Sequence, residues 1–386
     1  MRDLEFQGCS EFSLGMEMEL QLLNPHTLEL VDGILPLLAQ EQEDSYIQPE
    51  FQQAAVEVTS QVCRNIQELE GNILHILSQL QRKCHNLGMD ICMAGTHPFC
   101  DRFTNVTPIP RYLAQQTASG YLADMMMTFA LQIHVGVPSG DVAVDIMGRL
   151  KPYLPILLAL SASSPFWRSH NTDFASYRHR FLSCLRNYGT PPRFENWQDF
   201  ADFFIKAQNA GMFEIIRDIH WDLRPQPHLG TLEVRVMDAQ PTVKESMMLA
   251  AFVHSLILYL YHYSQGIQTG FVLSPLPWLM EKENFFRASR WGLDAMYIED
   301  EEGNTRPIRD IVKDILDAIA FTADSLGESS YLHLLAQRLE TGASYIRQRQ
   351  IFAKTGSLQA VVASLVKELS EELTTSPFHL QQFARE

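Results

Sequence analysis

The sequence predicts an α+β fold: a largely antiparallel sheet, helices covering one face of it, and a helical C-terminal third. Two observations lead there. Short runs that alternate apolar and polar residues recur through the first two-thirds of the chain, and a period of two marks strands with one buried and one polar face. After Val243 the apolar residues recur at helical spacing instead. No repeat, low-complexity run or hinge-like linker divides the chain. It therefore reads as a single domain over 1–386, with a sheet-forming part over about 10–240 and a mostly helical part over about 243–375.

The expected strands are 18–23 (extended back to 16), 54–59, 90–99, 130–137, 219–225 and 231–238. Between them, apolar residues from Ile66 through Leu69, Ile73, Leu77, Leu80 and Leu87 lie at helical spacing, and Gly88 supplies a stop. A second helix starts near Asp141 and runs to about Ser161, with a break around Pro152 and Pro155, which lack the N–H a helix needs. A third covers 196–211, ending at Gly211. The C-terminal third gives helices over 243–264, 285–295, 307–326, 328–340, 344–353 and 357–373, with "DEEGNT" (300–305) as a hairpin or loop tip.

Composition narrows the function. Hydrophobic residues make up 46% and charged residues 20%, which excludes disorder as the default state. Thirty Lys+Arg against 46 Asp+Glu leave a net charge of −16, and an acidic surface repels phosphate backbones, so nucleic acid is not expected as a partner. An anionic nucleotide would need local arginines or a metal. Six cysteines form no CxxC and no zinc spacing, and read as reduced thiols of a cytoplasmic protein. The first residues show no signal pattern. The greasiest segment, Met247 to Ser264, is interrupted by His254 and His262 and is short for a bilayer; it reads as a core helix, and no membrane is expected.

Three strands carry the same device. Glu17 and Glu19 share a face in "GMEMEL", Gln132 and His134 in "ALQIHVGV", and Glu233 and Arg235 in "TLEVRVMD", each opposite apolar residues. An ordinary wet face is rich in Thr, Ser and Lys, whereas this one offers oxygen donors, one imidazole and one fixed cation. Ionised carboxylates crowded on one face need counter-charge. Mg²⁺ or Mn²⁺ would supply it, and Mg²⁺ commonly completes its shell with substrate phosphates. Glu50 and Glu57 add carboxylates nearby in sequence. Arg178, Arg180, Arg224 and Asp222 add charge, and Arg224 and Arg235 lie on strands joined by the short "PQPHLG". No GxGxxG, GxxxxGK[ST], HExxH or GxSxG occurs.

The blocks "GMEMEL", "GTHPF", "LQIHVGV", "SASSPFW", "FASYR" and "HWDLRPQPHLGTLEVRVMD" resemble the carboxylate–amine ligase branch of the glutamate–cysteine ligase type 2 family over roughly residues 10–370. The resemblance implies a glutamine-synthetase-like fold, a curved, mainly antiparallel sheet with helices on its convex face and metals and ATP on its concave one. It implies an ATP- and Mg²⁺-dependent (or Mn²⁺-dependent) carboxylate–amine ligase with weak glutamate–cysteine ligase activity, joining glutamate to an amine such as cysteine through an acyl phosphate. By the same resemblance Glu17, Glu19, Glu50, Glu57, His134 and Glu233 are the expected metal ligands. Arg235 and Glu57 are the expected catalytic residues. Arg178, Arg224, Gln132 and Thr96 of "GTHPF" are the expected substrate or nucleotide contacts. The family often has Asp where Glu50 stands. No general base is singled out, and a homodimer is the assembly entertained.

Two rival readings use the same carboxylates: a metal-dependent hydrolase or phosphatase without ATP, and a nucleotide-binding regulatory protein with little catalysis. One histidine among six polar-face residues disfavours a di-zinc hydrolase. Glu233→Gln is expected to abolish activity and leave the fold intact.

Overall fold

The structure, a computed structural model, describes residues 4–40 and 46–375. In chain order its elements begin with β1 (Leu14–Leu23), α1 (Ile34–Leu38), β2 (Ile47–Pro49), β3 (Ala55–Thr59), α2 (Ile66–Asn86), β4 (Asp90–Cys92), α3 (Pro110–Ser119), α4 (Tyr121–Asp124) and β5 (Ala130–Gly136). They continue with α5 (Gly140–Leu150), α6 (Leu154–Ser161), β6 (Phe166–Trp167), β7 (His170–Asn171), α7 (Tyr177–Leu182), β8 (Tyr188–Gly189), α8 (Trp197–Asn209), β9 (His220–Trp221), β10 (Leu223–Gln226) and β11 (Thr231–Asp238). The last part holds α9 (Val243–Ser264), α10 (Trp278–Trp291), β12 (Met296–Ile298), β13 (Thr305–Pro307), α11 (Ile308–Leu326), α12 (Ser329–Thr341), α13 (Ser344–Thr355) and α14 (Leu358–Thr375).

The main sheet runs β10-β11-β5-β1-β3-β2, every pair antiparallel. Strand β1 is its axis. β5 pairs with its first half and β4 with its last three residues, along the same edge. Alternation does what the sequence promised: Met16, Met18, Leu20, Val56, Val58, Leu131, Ile133, Leu232 and Val234 are all buried on one face. Helices α2, α5, α6 and α9 pack there. A fully buried side chain of this size contributes about 1.5–3 kcal/mol, so this face holds the sheet to its helices. Apolar residues from Leu14 to Leu373 form one continuous core among the described residues. Helix α9 is long and apolar enough to cross a membrane, but nearly all of it is buried inside the protein, as a core helix is.

Local signals explain the boundaries. Side chains of Asn65, Ser139, Asn196 and Thr242 cap α2, α5, α8 and α9 by accepting a backbone N–H three residues on. Gly88 ends α2 at φ +70°, the left-handed stop the sequence calls for. The helix expected over 141–161 is two helices joined by a 3₁₀ turn at Lys151–Tyr153, where Pro152 and Pro155 remove donors. "DEEGNT" is the tip of the β12–β13 hairpin.

Other expectations change. The strand expected over 90–99 stops at Cys92, because Gly95 leaves the sheet to lie against Asp238. The strand expected over 219–225 is two strands, since β9 pairs in parallel with β8 while β10 pairs with β11. The helix expected from 285 starts at Trp278; its first turn exposes Trp278 and Leu279, so no apolar period announces it. Helices α1, α3, α4 and α7 and strand β2 are too short or too polar to have been expected.

Three of the distinctive sequence blocks meet at the end of β11. The buried Asp238 carboxylate accepts from the Ser163 N–H (2.9 Å), the Ser164 hydroxyl (2.7 Å) and the Ser176 hydroxyl (2.8 Å), with Arg178 at 3.8 Å. Ser163 also bonds Ser344 (2.9 Å), and its carbonyl accepts from Gln348 (3.0 Å), which ties α13 to the same knot. "SASSPFW" and "FASYR" thus anchor the end of "TLEVRVMD". Gly95 packs so closely that a Cβ there would lie 2.6 Å from the Asp238 Cγ. Gly95→Ala should therefore destabilise the fold by about 1–3 kcal/mol, read as a lower denaturant midpoint; an unchanged midpoint refutes the close approach.

Candidate active site

Register assembles the strand-borne part of the site, because residues of one parity face one way. Pairing puts Gln48, Glu57 and Glu19 in one row across β2, β3 and β1. Thr59, Glu17 and Gln132 form the next row across β3, β1 and β5. His134, Glu233 and Arg224 form a third across β5, β11 and β10. This face wraps a cavity of about 820 Å³ lined by Glu17, Glu19, Glu50, Glu57, Gln132, Arg178, Arg224 and Arg235 among others. His134 and Glu233 share this face by register but are buried and do not line the cavity.

Two carboxylate groups stand out. Ligand atoms of Glu17, His134 and Glu233 lie within 4.8 Å of one another, as do those of Glu19, Glu50 and Glu57. His134 Nε2 sits 3.3 Å from Glu17 and 4.0 Å from Glu233, buried and without an aligned hydrogen bond. Its Nδ1 is engaged by the Thr231 hydroxyl at 3.0 Å, which fixes the ring. A buried nitrogen without a hydrogen bond, between two carboxylates, is a donor set that fits a hard divalent cation tolerant of imidazole. The trio of glutamates fits a second such cation by charge and by donor type.

Glu233 has other work as well. Its oxygens accept from Arg224 Nε (2.7 Å), Arg224 (3.2 Å), Gln226 (2.7 Å) and Arg235. It is the counter-charge of two arginines, so it is less free to bind a cation than Glu17. Gln132 ties the two halves together: its amide N–H donates to Glu19 (3.1 Å) and its carbonyl accepts from Arg235. Glu19 also accepts from the Ala130 N–H at 2.7 Å.

Arg235 stands at a β-bulge. Between Val234 and Met237 the register with β5 slips by one, so Arg235 and Val236 together oppose Gln132. The bulge frees the carbonyls of Arg235 and Val236 from the ladder, and Arg178 donates to them at 3.4 and 3.3 Å. Arg178 therefore lines the cavity while both its terminal nitrogens bond backbone carbonyls. Arg224 likewise spends its donors on Glu233 and on the carbonyls of Arg217 and Ile219. Thr96 is not brought to the cavity: it is buried and its hydroxyl donates to the Phe166 carbonyl at 2.7 Å.

The charges settle unevenly. Burial, then the neighbouring Glu19, pushes the Glu50 carboxyl up to about 8. Burial and the other glutamates push Glu57 well above the ordinary carboxyl range, and burial also raises Glu19, partly offset by Arg178. Both Glu50 and Glu57 keep partial exposure to the cavity, which is itself sunk in protein. Burial opposes ionisation of Glu233 too, but Arg224, Arg235 and His134 hold it well below the ordinary range. His134 is raised: burial lowers it, and Glu233 and Glu17 more than reverse that.

Sequence reasoning passed over Arg111, Arg217, Tyr112, Tyr188 and His220, which also line the cavity. Arg111 and Tyr112 come from α3, which no apolar period signals, and the Arg111 guanidinium lies over the Tyr112 ring at 5.2 Å. His220 was within reach, since it shares the parity of Asp222 and Arg224. Its ring stacks on Tyr188 at 4.7 Å and 11°.

The match to known proteins covers almost the whole chain. The model of glutamate–cysteine ligase family 2 matches residues 13–364. A protein of Trichormus variabilis named "Putative glutamate--cysteine ligase 2" is 73% identical over 373 residues, 97% of this chain and 96% of that one. One of the same name from Bdellovibrio bacteriovorus is 37% identical over 374 residues, 96% of this chain and 98% of that one. Among solved structures, the glutamate–cysteine ligase of Francisella tularensis in complex with AMP superposes with a TM-score of 0.69 at 12% identity, over 99% of this chain and 92% of that one. A bifunctional glutathione synthetase of Pasteurella multocida gives 0.67 at 13%, over 94% of this chain and 52% of that one. At such identities the superpositions speak for the fold: the curved antiparallel sheet, its helical layer and the helical C-terminal part.

Two outcomes follow from the charges. A carboxyl raised in the folded state holds its proton more tightly folded than unfolded, so its contribution fades as pH rises through the folded value. His134, also raised, has the same sign. His97, lowered to about 4, and His220, also lowered, act in the opposite sense, but only below the ordinary histidine value of about 6.5. Between pH about 6.5 and about 8 the metal-free thermal midpoint should fall, Mg²⁺ should restore it, and Glu50→Gln should flatten the slope; a midpoint that rises over this window refutes the charge arrangement. Glu233→Gln should not leave the fold intact, contrary to the expectation from sequence, because two buried arginines lose their counter-charge. A loss of about 3 kcal/mol or more is expected in denaturant unfolding.

Proposed function

The chain belongs to glutamate–cysteine ligase family 2, and from that premise we propose that it is an ATP-dependent carboxylate–amine ligase that joins glutamate to an amine, cysteine being the first candidate. The observation that carries this reading is the cavity wall itself: two carboxylate groups able to hold divalent cations share one face with Arg235, in a cavity of about 820 Å³. That volume falls within the range of small-molecule sites. The AMP in the Francisella tularensis structure supports a nucleotide by analogy of fold alone.

A carboxylate repels nucleophiles, and phosphorylation removes that obstacle. In the proposed reaction a substrate carboxylate oxygen attacks the γ-phosphorus of ATP, ADP leaves, and an amine then displaces phosphate from the acyl phosphate to give the amide. Mg²⁺ or Mn²⁺, held by Glu17, His134 and Glu233 on one side and Glu19, Glu50 and Glu57 on the other, would neutralise phosphate charge when bound. Arg235 neutralises the transferring phosphoryl group, fixed in place by Gln132 and Glu233. Glu57, beside Glu19 in the register, is both ligand and catalytic carboxylate. Arg111 and Arg217 are exposed at the cavity and free to take the carboxylate of a substrate. Six free cysteines support a reducing, cytoplasmic setting.

The test supplies ATP, Mg²⁺, glutamate and a panel of amines including cysteine, and follows ADP and amide. ADP with amide, and a hydroxamate when hydroxylamine is added, is the expected result. ADP without amide or hydroxamate removes the ligase reading, ATP binding without turnover points to the regulatory alternative, and phosphate-ester turnover without nucleotide to a hydrolase. Arg235→Lys keeps the charge but loses the planar fork. It should lower kcat by about 10²–10³-fold; a rate near wild type removes Arg235 from the phosphoryl site.

A further inference from the structure

The proposed reaction leaves one proton without a residue, the one that makes the incoming amine an ammonium at pH 7. We propose that His220 takes that proton at Nε2, as the general base of amide formation. The inference rests on the ligase reading and deepens it.

His220 stands between two spaces. It lines the main cavity and also a chamber of about 20 Å³, lined as well by Arg178, His179, Tyr188, Asp222 and Arg235. The residue keeps partial exposure while its Nδ1 is fully enclosed without a hydrogen-bond partner. The Nε2 edge is therefore the one left for the cavity. The ring cannot easily swing. It stacks on Tyr188, and its backbone is held by β8, with the His220 N–H donating to the Asn187 carbonyl at 3.0 Å.

The chamber gives the proton somewhere to go. Arg178 Nε, His179 Nδ1 and His220 Nδ1 are all enclosed and unpartnered, and all belong to residues that line it. A polar space of this size admits one water bonded to such groups. Beyond it, His179 pairs with Asp222 at 3.3 Å. His220 can thus receive a proton on its cavity edge and pass one from Nδ1 through a water toward that pair.

Charge keeps the ring ready. Burial, then Arg235, Arg224 and Arg111, hold the imidazole well below its ordinary value against the opposing Glu233, so the resting ring is neutral at pH 7, and the negative charge of a bound acyl phosphate is what would strengthen it as a base. Arg235 is also the group assigned to the phosphoryl, which puts the base beside the bond that breaks. In the step, the nitrogen lone pair forms the N–C bond. The C–O bond to the phosphoryl group breaks and its electron pair leaves with phosphate. Cysteine's amine is an ammonium at pH 7, so His220 Nε2 takes its first proton and frees that lone pair; the second proton goes to the departing phosphate, whose charge offsets the imidazolium.

The experiment compares two acceptors, cysteine and hydroxylamine, each with ATP, Mg²⁺ and glutamate. Hydroxylamine is weakly basic and is already neutral at pH 7, so its attack has little need of a base. In both His220→Gln and His220→Asn, the amide with cysteine should fall by about 10²-fold or more, while hydroxamate formation stays at the wild-type rate and so certifies an intact site. An amide rate near wild type, or equal loss of both products in both variants, overturns the assignment. In nucleotide-free protein, ¹⁵N shifts should show a neutral His220 ring at pH 7, and a charged ring also overturns it. If the unmutated protein gives neither ADP nor hydroxamate, the ligase reading fails and the base assignment falls with it.

Discussion

Carboxylates cannot crowd one face of a sheet unless positive charge joins them, and the architecture of this protein follows from how that is arranged. Half of the problem is solved internally. Glu233 is buried at the centre of the face, with Arg224 on the neighbouring strand and Arg235 two residues along its own. The other half is left open. Glu19, Glu50 and Glu57 stand together with no arginine or lysine bonded to their carboxylates among the described residues, and burial, with their mutual repulsion, pushes their carboxyls upward. A site so divided holds its own arginines rigidly and keeps an appetite for further cations on the opposite side.

The apolar side of the same strands makes this division affordable. Met16, Met18 and Leu20 alternate with Glu17 and Glu19, so each carboxylate is carried by a strand locked into the helical layer. Asp238 does a related job at the end of β11. Its three hydrogen bonds to the serine blocks and its ion pair with Arg178 hold the bulge in place. Arg178 then caps the carbonyls that the bulge leaves unpaired. The residues that make the sequence distinctive are in this respect a scaffold for Arg235 rather than contacts to a ligand.

How much of this was legible depends on range. The period of two named Glu17, Glu19, Gln132, His134, Glu233 and Arg235, and their register brings all six to one face. Helix starts and stops were legible wherever a cap or a glycine marked them, as at Asn65 and Gly88. What escaped has no local signal. Thr96 looks like a site residue, yet its neighbour Gly95 is drawn away from the sheet by Asp238, 143 positions later in the chain. Arg111 reaches the cavity from a helix whose exposed faces carry no apolar period. The two roles of Glu233, ligand and counter-ion, cannot be told apart without knowing that Arg224 is its register partner.

The bulge in β11 has one more consequence. Upstream of it Glu233 and Arg235 take the polar face and Val234 the core; downstream, Met237 pairs with the core residue Leu131, and Asp238 with Ala130. The extra residue shifts the phase of alternation by one, so that an acid at each end of a single strand looks the same way. Remove one residue between Val234 and Met237 and the phase is lost: Met237 turns into the polar face and Asp238 into the grease. Substitutions in β11 can be weighed singly, but its length is quantised, and across homologues this strand should vary in letters and not in count.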